Sequence, residues 1–550
     1  MRPFSSCGTG FNFQLNETDF MKWVSKCTQH EQLHKMNYIN LEDLWITKEG
    51  VTMAHHEQRF RGRRGLVFAG TALLALVAVG GMAINHYMNS TPKALVFQED
   101  PVHLKLEQSY DHFEGWGTSL AWWANDLGGW KDQAKVDEVM DLIFDPAKGL
   151  GLNIVRYNIG GEENPEMNAL RPGGDVPGFQ PEPGKWDWEA DAGQRSVMQG
   201  AIKRGVNITE AFSNSPPYWM TISGSVTGAE DGGNNLREDQ YDAFADYLTE
   251  VVKHYRDTWG ITFRTLDPLN EPSANWWKKG NQQEGSHFST EKQAEIIKKT
   301  AASLQSKGLD GTVISAADDN SIDETVFNFS LYDQDTIDAV KQMNTHSYNG
   351  SKMEELRALA DKLGKKLWMS EYGTGGTEPH NHEDMTSVQE LADRIMFDLK
   401  IMQPSAWVYW QAVEDEGAKN NWGFIHANFN GDEQYEMTKQ YYGMAQFTKF
   451  IRPGAVIIPT DEGRTLAAYD AKAQRLVLVI RNELSAENKA FDLTGWDVAK
   501  TGSAQVYQTS PELNMQKLED IPVYTNGIEV PTADNSITTV VLEGVLPSAE

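Results

Sequence analysis

Between Tyr110 and Phe450, short apolar runs alternate with amphipathic stretches, and this alternation constrains the chain more than any other feature of it. A strand followed by a helix, repeated, builds a parallel sheet, because each crossover returns the chain to begin the next strand in the same direction. The strand-like runs are Glu114–Gly117, Gly151–Asn158, Val206–Phe212, Phe263–Leu269, Thr312–Ala317, Gln342–His346, Lys366–Ser370 and Ala406–Gln411. Between them the apolar period becomes helical: Tyr241, Phe244, Leu248, Val251 and Tyr255 share one face, as do Ala294, Ile297, Ala301 and Leu304. Thr290 and Gln293 have the spacing of a capping box for the second of these helices. Eight such units predict an α/β fold, a (β/α)8 TIM barrel over 110–451. An open doubly wound sheet is the alternative. Against it, Gly115-Trp116-Gly117 runs on into Thr-Ser-Leu and lacks the phosphate loop of such folds.

After Pro453 the texture changes. Leu476–Ile480, Ala504–Gln508 and Ile537–Leu542 are short strands divided by Gly, Asn and Pro turns. They predict an attached all-β side domain, a β-sandwich over 452–550, to which residues 93–109 contribute strands. At the other end, Arg59-Phe-Arg-Gly-Arg-Arg64 precedes a run from Leu66 to Ile84 without a charge. This predicts export, with 53–92 either a cleaved signal peptide or a retained signal anchor. Residues 1–52 resemble neither, and Met53 is the expected start. A cytoplasmic tail is the other reading.

Composition narrows the function. The chain carries 49 basic and 78 acidic side chains, a formal charge of −29, and residues 101–550 hold 39 and 69 of them. Such a body repels polyphosphates, so nucleic acid is excluded as a partner and neutral substrates remain. Both cysteines, Cys7 and Cys27, precede the body, which therefore has no disulfide, thiolate nucleophile or cysteine metal site. Pro379-His-Asn-His-Glu-Asp384 is the one His-rich loop, and no third ligand accompanies it, so no metal and no cofactor are expected.

In a barrel of this type chemistry gathers at the C-terminal ends of the strands. The fourth run leads into Asn270-Glu271-Pro272, and the seventh leads into Glu371-Tyr372-Gly373. Strands four and seven face each other across a barrel, so these glutamates can meet although 100 residues separate them. Two facing carboxyls are what glycosidic cleavage requires: one protonated to assist the leaving oxygen, the other ionised to attack or to activate water. A non-catalytic sugar-binding protein would keep the chain's 17 tryptophans, whose flat rings stack on neutral sugars, but has no need of both glutamates.

Those two motifs, with Phe113-Glu-Gly-Trp-Gly-Thr-Ser-Leu-Ala-Trp-Trp-Ala124 and Gln440-Tyr-Tyr-Gly-Met-Ala-Gln-Phe-Thr-Lys-Phe-Ile-Arg-Pro-Gly454, resemble glycoside hydrolase family 30 over about residues 95–545. The opening motif is most similar to the endo-β-1,6-galactanase branch. The resemblance implies a retaining double displacement with Glu271 as acid/base and Glu371 as nucleophile. It implies that Asn270 holds the sugar 2-hydroxyl, Arg156 and Tyr348 attend the nucleophile, and Trp410 floors the −1 subsite. His346 is expected to be structural. Of the tryptophans near rim loops (Trp122, Trp123, Trp219, Trp276, Trp277 and Trp422), two or three should line subsites, with Trp123 and Trp219 the ones assigned to substrate. The expected partner is a neutral β-1,6-galactan, with β-1,6-glucan the runner-up. The Gly/Pro-rich rim loops at 159–190 and 213–236 bear on endo or exo action.

Overall fold

The computed structural model describes residues 44–47, 50–53 and 94–548, apart from 168, 376–380, 418–421 and 499–500. Leu44–Thr47 and Gly50–Met53 pair antiparallel in a unit separate from the one that begins at Ala94. The uncharged run Leu66–Ile84 and its basic flank lie outside the described residues, among which no helix is long and apolar enough to cross a membrane.

Eight parallel strands close into a barrel: β1 (Gly115–Ser119), β2 (Ile154–Asn158), β3 (Ile208–Phe212), β4 (Thr265–Asp267), β5 (Val313–Ser321), β6 (Val340–Asn349), β7 (Lys366–Tyr372) and β8 (Ala406–Gln411). Each neighbours the next, and β8 pairs with β1. All eight coincide with apolar runs read from the sequence, because a strand covered by helices outside and filled inside must be apolar nearly throughout. The main crossover helices are Gln133–Phe144, Ala192–Lys203, Tyr241–Trp259, Thr290–Ser306, Ile322–Leu331, Met353–Leu363, Met385–Phe397 and Lys439–Thr448. Tyr241–Trp259 buries the five aromatic and aliphatic residues predicted for its inner face.

The expected capping box fails. Thr290–Ser306 starts from Ser289 without a side-chain cap. Gln293 turns inward, donating to the Phe288 carbonyl at 2.9 Å and accepting from the Tyr332 hydroxyl at 2.7 Å. The buried face of this helix is Gln293, Ile296, Ile297, Thr300 and Leu304, and only Ile297 and Leu304 belong to the predicted stripe.

The barrel's interior is polar at its centre. Arg156 on β2 is fully buried, with Nε 3.0 Å from Glu210 on β3 and Nη2 2.5 Å from Asp318 on β5. Asn344 on β6 donates to Glu210 at 3.0 Å and to Asp267 on β4 at 2.9 Å. Five strands are thus tied by charged hydrogen bonds, which fix the rotamers of whatever stands above them.

The side domain follows one hydrogen-bonded path of short strands: Val456–Ile458, Thr465–Asp470, Arg475–Asn482, Ser536–Glu543, Ser503–Thr509, Ile521–Tyr524, Gly527–Thr532, Glu487–Asp492 and Val102–His103. Leu478, Val540, Phe491, Ile528 and Val102 fall in one apolar cluster, so the two ends of the path fold onto each other as a sandwich. Its opposite face, through Leu466, Val477, Val479 and Ile537, joins the barrel's own core.

Candidate active site

At the C-terminal rim, β4 delivers Asn270 and Glu271, and β7 delivers Glu371. The backbone of Glu271 is left-handed, with φ 47°, a conformation that bulky residues adopt only where their surroundings impose it. Two contacts impose it here. The Glu271 amide donates to the Asp318 carbonyl at 2.9 Å, and the Trp277 indole donates to the Glu271 carbonyl at 3.1 Å. Glu271 Oε1 accepts from Asn320 Nδ2 at 2.6 Å.

Glu371 is held from below and from one side. Arg156 Nη1 lies 3.2 Å from its Oε2 and also donates to the Ser370 carbonyl, while the Tyr348 hydroxyl donates to its Oε1 at 3.1 Å. His346 stands between the two glutamates. Its Nδ1 is 3.2 Å from Glu271 Oε1 and 3.6 Å from Glu371 Oε1, and its Nε2 is 3.2 Å from Asp318. His346, expected to be structural, thus has its imidazole within reach of both carboxyls.

The charges are balanced by neighbours. Burial pushes Glu371 up, and the charge of Glu271 adds to it; against the pull of His346 and Arg156 the carboxyl is left at about 7. Burial alone would lower His346, but the charges of Glu371 and Asp318 outweigh it and raise it well above its ordinary value. Asp318, which burial would raise, is brought down to about 2 by Arg156 and His346. His346 and Asp318 thus each favour the charged form of the other across 3.2 Å.

A cavity of about 200 Å³ opens over the glutamates. Trp122, Trp276, Trp277, Trp410 and Trp422 line it, with Asn214, Asn270, Asn320, Gln283, Glu284 and Tyr348. Asn270 is nearly buried there, and its Oδ1 has no hydrogen-bond partner within the protein. Of the expected residues, Glu271, Glu371, Asn270, Tyr348 and Trp410 meet at this cavity, with Arg156 directly beneath.

Trp123 and Trp219 do not. Trp123 is fully buried, its indole donating to the Ser119 carbonyl at 2.8 Å, and Trp219 donates to the Gln180 carbonyl at 2.7 Å on the outer loops. In the Trp122-Trp123 pair it is Trp122, at φ 72°, whose ring turns to the cavity. Nothing in the sequence separates two adjacent indoles that face opposite ways. Asn320 and Asn214 were not anticipated either; the one available signal was their position just beyond strand runs.

The His-rich loop falls partly outside the described residues; within them, His382 pairs with Glu436 and its ring packs 4.2 Å from that of His426. Among the described residues, the one acidic and imidazole set close enough to share an ion is Glu271, His346 and Glu371, whose nearest atoms lie within 4.8 Å of one another. Glu271 accepts from Asn320 and Glu371 from Arg156 and Tyr348, while His346 faces the carboxyls of Glu271, Glu371 and Asp318.

Comparison with known proteins agrees with this architecture. The model of O-glycosyl hydrolase family 30 matches residues 99–361. An endo-beta-1,6-galactanase of Hypocrea rufa is 34% identical over 420 residues, 73% of this chain and 85% of that protein. An exo-beta-1,6-galactobiohydrolase of Bifidobacterium longum is 24% identical over 72% of this chain, which spans 35% of that longer protein. Among solved structures, the catalytic domain of GH30 xylanase C from Talaromyces cellulolyticus superposes with a TM-score of 0.63 at 19% identity, over 80% of this chain and all of that one. With a relative this similar over most of its length and a closed barrel bearing paired carboxyls at its rim, the chain belongs to glycoside hydrolase family 30.

Proposed function

We propose that the protein cleaves β-1,6-linked galactan with retention of configuration, by double displacement on Glu371 with Glu271 as acid/base. The separation of the glutamates carries the reading. Their nearest oxygens lie within 4.8 Å, whereas a pair that must admit water between them stands roughly 6.5–9.5 Å apart. In the first step the Glu371 carboxylate forms a bond to the anomeric carbon while the glycosidic C–O bond breaks, and Glu271 gives its proton to the departing oxygen. In the second, Glu271 takes a proton from water, whose oxygen displaces Glu371 from the same carbon. Arg156 and Tyr348 hold the attacking carboxylate, and Asn270, with its open Oδ1, meets the 2-hydroxyl.

The cavity supports a neutral substrate. Among the described residues three carboxyls line it and no lysine or arginine does, which favours an uncharged sugar over a uronate. The 34% identity to an endo-beta-1,6-galactanase favours galactose in a β-1,6 chain. The basic cluster 59–64 ahead of an uncharged run supports export to where such polymers occur. Product analysis on β-1,6-galactan, β-1,6-glucan, xylan and glucosylceramide tests the substrate, with galacto-oligosaccharides the expected products. Proton NMR of the first product tests the mechanism: the β anomer is expected, and an initial α anomer would refute double displacement.

A further inference from the structure

We propose that Trp422 is the platform for a second sugar on the glycone side, and that Arg171 is the positioning residue that braces it. The inference rests on the glycosidase reading above and extends it to a subsite. Trp410 lies on β8, Trp422 follows it and Trp122 follows β1, neighbouring strands on the side of the barrel opposite β4 and its Trp276 and Trp277. The Trp122 ring stands edge-on to Trp410, at 4.9 Å and 89°. Trp422 lies within 24° of parallel to Trp122, at 6.5 Å, and is steeply inclined to Trp410. Trp122 lines the cavity but is only 8% exposed, so the half-buried Trp422 is the more open surface of this stack. A sugar lying flat on Trp410 cannot lie flat on Trp422 as well. A second ring can, if its linkage lets it turn through a large angle, and a 1,6 linkage has an additional rotatable bond at C5–C6 that permits this.

The stack is held from behind. The Arg171 guanidinium lies 4.6 Å from the Trp122 ring centroid, and its Nη2 is 2.6 Å from Glu414 Oε1. Glu414 Oε2 accepts from Nε2 of Gln411, the residue after Trp410, at 2.6 Å. The Arg171 amide donates to the Gln282 carbonyl at 2.9 Å, in the loop that carries Gln283 and Glu284 at the cavity. Glu414 is 2% exposed and Arg171 does not line the cavity. The pair therefore acts on substrate only through the indoles. Trp122 at φ 72° is strained for a bulky side chain, and the cation over its ring stabilises the ring in that position. A planar guanidinium does this better than an ammonium, which keeps the charge but cannot lie flat on the ring.

The test separates one sugar from two. In a catalytically silent Glu371→Gln protein, binding of galactose and of β-1,6-galactobiose is measured by calorimetry, with Trp422→Ala, Arg171→Ala and Arg171→Lys added in turn. Galactobiose should bind about tenfold more weakly with either alanine change, while galactose changes by less than about twofold. Arg171→Lys should fall between, and it serves where Arg171→Ala does not fold. Equal losses for both sugars, no loss for either, or galactobiose binding no better than galactose in the parent would each overturn the proposal. If gentiobiose binds and galactobiose does not, the galactan reading falls, and the same comparison is made with glucose and gentiobiose.

Discussion

Replacing Tyr348 by phenylalanine removes one hydroxyl that donates to Glu371 Oε1 at 3.1 Å and leaves the ring in place. A hydrogen bond to a charged acceptor contributes about 1.5–3 kcal/mol. This one favours the carboxylate over the acid, so its loss raises the pKa of Glu371. At about 1.36 kcal/mol per unit, even the lower figure is about one unit. In the parent, with Glu371 at about 7, half of the nucleophile is ionised at pH 7. With a value near 8 only about a tenth is, and kcat/KM at pH 7 falls about fivefold from ionisation alone. The loss should shrink as pH rises, so the optimum moves to the alkaline side. The assay is kcat/KM against pH on a chromogenic aryl glycoside, with thermal melts to confirm that the fold is intact. An acid limb that stays where it was, or moves down, would refute the claim that this phenol stabilises the nucleophile's charge.

Three further outcomes follow from the same geometry. The fold holds Glu371 above its ordinary value, so its ionisation destabilises the protein; that cost is absent below about pH 4.5 and complete above about 7. The melting temperature of Glu371→Gln relative to the parent should therefore be more favourable at pH 8 than at pH 4, and an equal difference at both would contradict it. A Cβ on Gly285 would lie 2.2 Å from ring atoms of buried Trp277, whose indole holds the Glu271 carbonyl. Gly285→Ala should cost about 1–3 kcal/mol by chemical denaturation and lower kcat; unchanged kcat would free Glu271 of that support. Finally, EDTA treatment followed by desalting should leave activity intact, since Glu271, His346 and Glu371 each have protein partners; loss restored by a divalent ion would show that a metal uses them.

The barrel was legible because its strands must be apolar to be covered on both faces, and its helices amphipathic to cover them. The glutamates were legible because Asn-Glu-Pro and Ser-Glu-Tyr close two such runs at facing positions. What stayed hidden depends on which way a side chain turns. Trp122 and Trp123 are identical in sequence context, and a backbone φ of 72° decides between them. Gln293 has the spacing of a cap, but a buried hydroxyl on Tyr332 needs an acceptor and takes its oxygen. His346 read as a supporting residue because a histidine among strand residues carries no sign of the carboxyls it will meet from β4, β5 and β7.

Val102–His103 pairs in parallel with Phe491 and Asp492 of a strand made nearly 400 residues later. A chain emerging from its N-terminus therefore completes all eight barrel strands before the partner of this early segment exists. This edge of the sandwich is sealed by a loop closure that encloses the whole catalytic body. Until then the Glu487–Asp492 strand offers an open edge able to pair with another chain. Truncation near residue 110 would make that edge permanent, so a shortened catalytic domain should fail by self-association rather than by loss of its active site.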